Sequence, residues 1–285
     1  MCDASALGIL YTEHSRLRAM THITSLWSYE TRVRDRNRPS IALSSDGSQE
    51  YWLERWDPLL NTMLPGTGIS LVVNGGDLWA AGQSLATSAL LPRVCVVGPV
   101  TQPRILRLGK SVHAVGAGFL LTLAPLIVNV PASELVDRIV PLEDLWSRDE
   151  VEPLLASLSN LATRSCVSTL KDVLMARIGP MVDPERVSEA AFALIRRRGG
   201  RVSIADLATS HGLSRLQFSR RFCAAAGLPP KLFARITRFQ SLVHALLLTD
   251  VSQWASMPAT LGYYDQAHMI GPLPARSNRL LSTAE

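Results

Sequence analysis

Apolar positions along this chain follow two different rhythms. Between Glu50 and Phe119 they gather in short runs at 51–56, 69–73, 94–97, 104–108 and 114–119. Clusters of glycine and proline separate these runs: Leu64-Pro65-Gly66, Asn74-Gly75-Gly76-Asp77 and Gly98-Pro99. Such punctuation predicts many short strands closed into a small barrel or stacked as a sandwich. From Pro131 to about Met181 the spacing turns helical, with Ala132-Ser133-Glu134-Leu135 as a cap and Leu145, Leu154, Leu155, Leu158 and Leu161 supplying apolar faces. Those faces would cover the strand-rich region or pair two subunits.

The densest pattern is RVSIADLATSHGLSRLQFSRRF, residues 201–222. Ser203 with Asp206 three places later starts a helix over 204–210, whose apolar stripe is Ile204, Leu207 and Ala208. Ala208 is small enough for a second helix to cross closely, Gly212 can take the positive φ of a tight turn, and Leu213 can plug the angle. Ser214 with Gln217 repeats the cap and opens the second helix, which turns Phe218 and Phe222 inward. Arg215, Leu216, Ser219 and Arg220 fall on its other face, with Gln217 and Arg221 at the flanks. This is the order of a helix-turn-helix. Arginines near the start of such a helix reach guanine edges in the major groove, while Gln217 and Arg221 are better placed for phosphates. A plain helical hairpin with a solvated charged face is the competing reading, and the joint order of cap, small residue, glycine, second cap and cationic face argues against it.

Gly227-Leu228-Pro229-Pro230 then stops the second helix, and a long one begins at Lys231 with Leu232, Ile236, Phe239, Val243 and Leu246 along one side. After it the pattern returns fifty residues on: Trp254, Met257, Pro258 and Gly262 take the places of Ile204, Leu207, Ala208 and Gly212. Two such units on one rigid helix could enter successive major grooves.

Charge is divided in the same way as the pattern. From Glu185 onward there are 13 Lys and Arg against 6 Asp and Glu, net +7, while the preceding residues carry 16 against 18, net −2, which together give the chain's +5. The basic excess thus lies with the helix-turn-helix and points to phosphate. A membrane surface would also attract it, but no amphipathic Lys-rich helix accompanies the excess.

Length and composition, 285 residues with 47% hydrophobic, allow two domains with a sizeable core. Cys2, Cys95, Cys166 and Cys223 are too dispersed for a zinc site or a disulfide framework. The apolar run at 116–131 is broken by Pro125 and Asn129, and the start of the chain lacks a signal-peptide pattern, so a soluble protein of a reducing compartment is expected. His14, His22, His113, His211, His244 and His268 show no H-x-H or H-x-x-x-H spacing. His113, alone in the strand region, reads as a structural histidine. With no G-x-S-x-G elbow, phosphate-cradling loop or Cys–His pairing, neither catalysis nor a metal or other cofactor is expected. Residues 1–47, including the run RVRDRNRPS, read as a poorly ordered leader.

Three segments together, ADLATSHGLSRLQFSRRF, AGLPPKLFARITRFQ and LGYYDQAH, resemble the AraC/XylS class of bacterial transcription regulators. The last is similar to that family's second-unit pattern G-[FY]-x-D-Q-[SA]-H. Farther forward, LPGTGISLVVNGGD, VVGPVTQPRILRLGKSVHAVGAGF and PASELVDRIVPLEDLW resemble the sensor-like domain attached to one branch. The resemblance spans roughly 50–268. Behind the leader read at 1–47, it implies an α+β chain: a small β-barrel or cupin-like sensor and dimerisation domain with covering helices at 48–181, and an all-α domain of two helix-turn-helix units at 182–285.

By position it places base contacts at Leu216, Ser219 and Arg220 in the first unit and at Gln266 and Ala267 in the second; Arg215 is added on charge and geometry. The partners it implies are double-stranded promoter DNA, a small-molecule effector and a second copy of the chain, in the bacterial cytoplasm. The chain also departs from the pattern. Pro258 stands where the family has a small alanine, a change costing roughly 3 kcal/mol in a helix interior. After Ile270 the sequence reads Gly271-Pro272-Leu273-Pro274 where an arginine and a phenylalanine would extend the helix. A second unit cut short is expected. The alternative function is therefore a truncated relative that binds DNA weakly and sequesters partners through its front half.

Overall fold

The computed structural model describes residues 23–32, 52–54, 60–109, 111–119, 121–159, 163–178 and 186–248. Ten strands form two antiparallel sheets among them. One sheet runs in the order β1 (Ile23–Arg32), β9 (Ser111–Phe119), β4 (Ile69–Asn74), β7 (Val94–Val97), β10 (Ile139–Pro141). The other runs β2 (Trp52–Glu54), β3 (Leu60–Met63), β8 (Arg104–Arg107), β5 (Ala80–Gly82), β6 (Ala89–Leu90).

Strand β4 shows why the front half is layered. All six of its residues are buried, yet they divide by the strand's period of two. Ile69, Leu71 and Val73 belong to a core shared with the helices. Val72 belongs to a second core with Trp79, Ala81, Cys95, Leu106, Leu108 and Ala114, drawn from both sheets. The first sheet is thus the middle of three layers, helices on one face and the second sheet on the other. Burial in that second core pushes the Cys95 thiol up to about 12, so it stays protonated and unreactive at neutral pH.

The five strand runs read from the sequence coincide with β2, β4, β7, β8 and β9. Of the small barrel or sandwich expected from them, the described residues show two stacked five-stranded sheets, bridged between Gly66 and Val100, with no continuous ladder from one sheet to the other. Part of the segment read as a leader is a strand. Its residues 23–32 form β1, paired along β9 from Ile23 opposite Phe119 to Arg32 opposite Ser111.

Helix α1 (Ala124–Ile127) and helix α2 (Ala132–Leu135) follow β9 as single turns. The stretch expected to be helical from Pro131 is interrupted by β10 before α3 (Arg148–Ser159) and α4 (Thr163–Ile178). These two pack on the first sheet, α3 against β4 and β7 and α4 against β1 and β9. These helices thus cover one face of the sheet. Arg177 clasps the joint: its guanidinium lies 4.1 Å over the Trp146 ring and donates to the Ile127 carbonyl at 2.9 Å and to Glu150. The Ser147 N–H and hydroxyl hold the Glu150 carboxyl below its ordinary range, and Arg177 adds to this.

The C-terminal half is helical: α5 (Arg186–Arg197), α6 (Ile204–Ser210), α7 (Arg215–Ala226) and α8 (Pro230–Leu248). The long helix starts one residue earlier than expected because Pro230 suits the first helical position. Three rings form its centre. Phe192 meets Phe222 edge-on at 4.8 Å and stacks on Phe233 at 5.3 Å, and Phe222 meets Phe233 edge-on at 5.3 Å. This core is continuous with that under the first sheet. Residues 249–285, and with them the second unit, Pro258 and Gly271-Pro272, lie outside the described residues.

Candidate nucleic-acid interface

Local chemistry builds the two-helix unit. The Ser203 hydroxyl accepts from the Asp206 N–H at 3.2 Å and starts α6. Leu207 and Ala208 are buried at the crossing, and the Ala208 carbonyl accepts from the Leu213 N–H at 3.0 Å across the turn. Gly212 sits at φ 65° within that turn.

A full capping box opens α7. Ser214 Oγ accepts from the Gln217 N–H at 3.3 Å while Gln217 Oε1 accepts from the Ser214 N–H at 3.0 Å. Replacing Ser214 by alanine removes the first of these bonds and leaves the second, whose donor is the backbone N–H of residue 214. The expected loss is about 1 kcal/mol, read from urea denaturation of the full chain. A change within about 0.5 kcal/mol, the range usual for a surface substitution, would mean the box is not formed in solution.

The helix has two faces. Phe218 and Phe222, each 1% exposed, and Ala226 point into the core. Arg215, Leu216, Gln217, Arg220 and Arg221 are exposed. Leu216 and Arg220, one turn apart, share the outermost strip. Ser219 is half-buried on the flank, because it lies one position from Phe218 and one turn before Cys223, which is itself half-buried. Gln217 has a structural duty that its phosphate-contact reading did not include: its oxygen is committed to the cap, leaving the amide nitrogen to donate outward. Gln266 and Ala267 lie outside the described residues.

Electrostatics reinforce the outer face. Across 186–248 the sequence has 11 Lys and Arg and 2 Asp and Glu. Arg201, Lys231 and Arg235 are further exposed cations of this helical half.

One contact was not read from the sequence. Gly227, at φ 70°, ends α7 with its N–H on the Cys223 carbonyl at 2.8 Å and seats the helix end on α2. A side chain there would come within 2.7 Å of the Ala132 carbonyl and Ser133 Cα. Leu228 follows into the core at 2% exposure. The signal was present, since glycine followed by an apolar residue after a helix marks a left-handed cap with a hydrophobic anchor. What it anchors to is long-range. α2 is in turn fixed to the sheets: Asp137, just beyond it, donates its N–H to the Pro99 carbonyl at 2.7 Å and accepts from the Thr101 N–H at 2.7 Å.

Among the described residues no group of three or more His, Cys, Asp or Glu could hold a metal ion, and no helix is long and apolar enough to cross a membrane. His113 lies in β9.

No protein-family model matches the chain, and a search among curated proteins finds no match. Among solved structures the chain is similar to ToxT from Vibrio cholerae O395, with 8% identity and a TM-score of 0.43 over 90% of this chain and 97% of that one. ToxT bound to (E)-4-(8-methylnaphthalen-1-yl)but-3-enoic acid gives 8% identity and a TM-score of 0.42 over 90% and 98%. Unsaturated fatty acid bound ToxT from strain SCE256 gives 10% identity and a TM-score of 0.36 over 91% and 96%.

Proposed function

We propose that this chain is a sequence-specific DNA-binding regulator of transcription of the AraC/XylS type, acting in the bacterial cytoplasm and reading promoter duplexes through residues 203–222. The observation that supports this most is the outer face of α7, where Arg215, Leu216, Arg220 and Arg221 are exposed on a helix whose other face is locked into the core. A capped, rigid helix with an adaptable cationic face is what major-groove readout requires. In this reading the front half is a barrel-like sensor and dimerisation unit that takes a small-molecule effector, and the chain performs no catalysis.

The test is binding of the full chain to duplexes selected from a random pool, followed across a salt series. Log affinity is expected to fall steeply with log salt. Arg220→Ala is expected to cost about 1 to 3 kcal/mol and to relax preference at one or two base pairs, whereas Arg221→Ala weakens all sequences alike and lowers the salt slope by about one. No duplex binding at low salt would sink the proposal and favour the sequestering alternative. Uniform losses across base variants for Arg220→Ala would assign that side chain to phosphate.

A further inference from the structure

We propose that Leu216 reads a thymine methyl group, and that Arg220 takes a guanine within about two base pairs of it, so that a T close to a G is the signature of the duplex this chain selects. This rests on the DNA-binding reading above.

Leu216 is 61% exposed. Exposure of a single leucine is ordinary and decides nothing alone. Its surroundings do. The other strongly exposed leucines among the described residues, Leu78, Leu85, Leu90, Leu126 and Leu155, all lie in the front half. Leu216 has instead Arg215 and Gln217 beside it and Arg220 one turn on, all exposed. An apolar protein partner is bound by a cluster of apolar side chains, and none is present on this strip. A lone leucine among guanidinium groups suits a lone methyl in an anionic groove. On the base edges of the major groove, the thymine C5 methyl is that group.

The spacing gives the second half of the inference. Four residues of helix rise about 6 Å, and stacked bases repeat at about 3.4 Å, so side chains at 216 and 220 address bases about two steps apart. The capping box beneath Leu216 fixes the backbone of the first turn, from which the leucine projects.

The experiment uses the full chain and duplexes selected from a random pool, remade with deoxyuridine for thymidine one position at a time. Uracil keeps the pairing and the hydrogen-bonding edge and removes only the methyl. One position in the selected sequence is expected to lose about fourfold in affinity, the effect of about one methyl-sized group left in water. Leu216→Ala should bind thymine and uracil duplexes equally, close to the natural chain's affinity for the uracil form. At the neighbouring guanine, 7-deazaguanine should weaken the natural chain and leave Arg220→Ala unaffected.

Tolerance of uracil at every position by the natural chain, or uracil sensitivity that persists in Leu216→Ala, overturns the inference while leaving DNA binding intact. A pool that yields no enriched sequence overturns both readings. A 7-deazaguanine effect unchanged in Arg220→Ala removes the guanine assignment.

Discussion

Phe222→Ala is expected to destabilise the chain by about 3 to 5 kcal/mol, a large share of the stability a domain commands. The ring is 1% exposed and is enclosed from three directions: Phe192 from α5, Phe233 from α8 and Phe218 from its own helix, at 4.8, 5.3 and 5.8 Å between centroids. Phe192 and Phe233 belong to other helices, so the cavity left by alanine cannot close by a simple shift of α7. Phe222→Leu keeps most of the volume and should cost less than about 1.5 kcal/mol. Urea denaturation of the full chain followed by circular dichroism measures both. A loss below about 1 kcal/mol for the alanine variant would show that α7 is not seated on this cluster in solution.

Two glycines with nearly the same backbone conformation should respond unequally to the same substitution. Gly212 at φ 65° and Gly227 at φ 70° both occupy the left-handed region, where an L-alanine costs about 1 to 2 kcal/mol. At Gly212 a methyl group meets nothing within 4 Å, so Gly212→Ala should cost that strain alone. At Gly227 it meets the backbone of Ala132 and Ser133 at 2.7 Å, which cannot swing aside as a flexible side chain would. Overpacking adds about 1 to 3 kcal/mol, bringing Gly227→Ala to about 2 to 5 kcal/mol. The comparison is made by the same denaturation experiment. Equal losses would mean that α7 and α2 do not touch in the native chain.

What could be read from the sequence was what is decided locally. The caps at Ser203 and Ser214, the turn at Gly212 and the inward Phe218 and Phe222 each depend on partners within one or two turns, and all appear where the pattern placed them. The strands of the front half were legible where an apolar run was long enough to show; β5, β6 and β10, at three, two and three residues, were too short to carry a period. β1 was hidden for a different reason. Its Thr, Trp and Tyr residues suit a strand, but it runs into an arginine-rich segment and owes its place to β9, far away in sequence. Long-range choices of this kind also separate a stack of two sheets from a closed barrel. In the reading unit, the outer face of α7 was legible from helical spacing, whereas the commitment of the Gln217 oxygen and the seat of Gly227 depend on geometry that spacing does not contain.

The seat of α7 on α2 bears on how such a chain could be recombined. Ala132 and Ser133 meet Gly227 backbone to backbone, and Leu135, Ala226 and Leu228 lie in one core with them. A cut near residue 182, where the charge changes sign, would divide the chain into halves whose surfaces are matched as a lock is to its own key. Exchanging the front half for that of a relative would therefore preserve the reader's pose only if 132–135 and 226–228 travelled as a set, so the inheritable module straddles the apparent domain boundary.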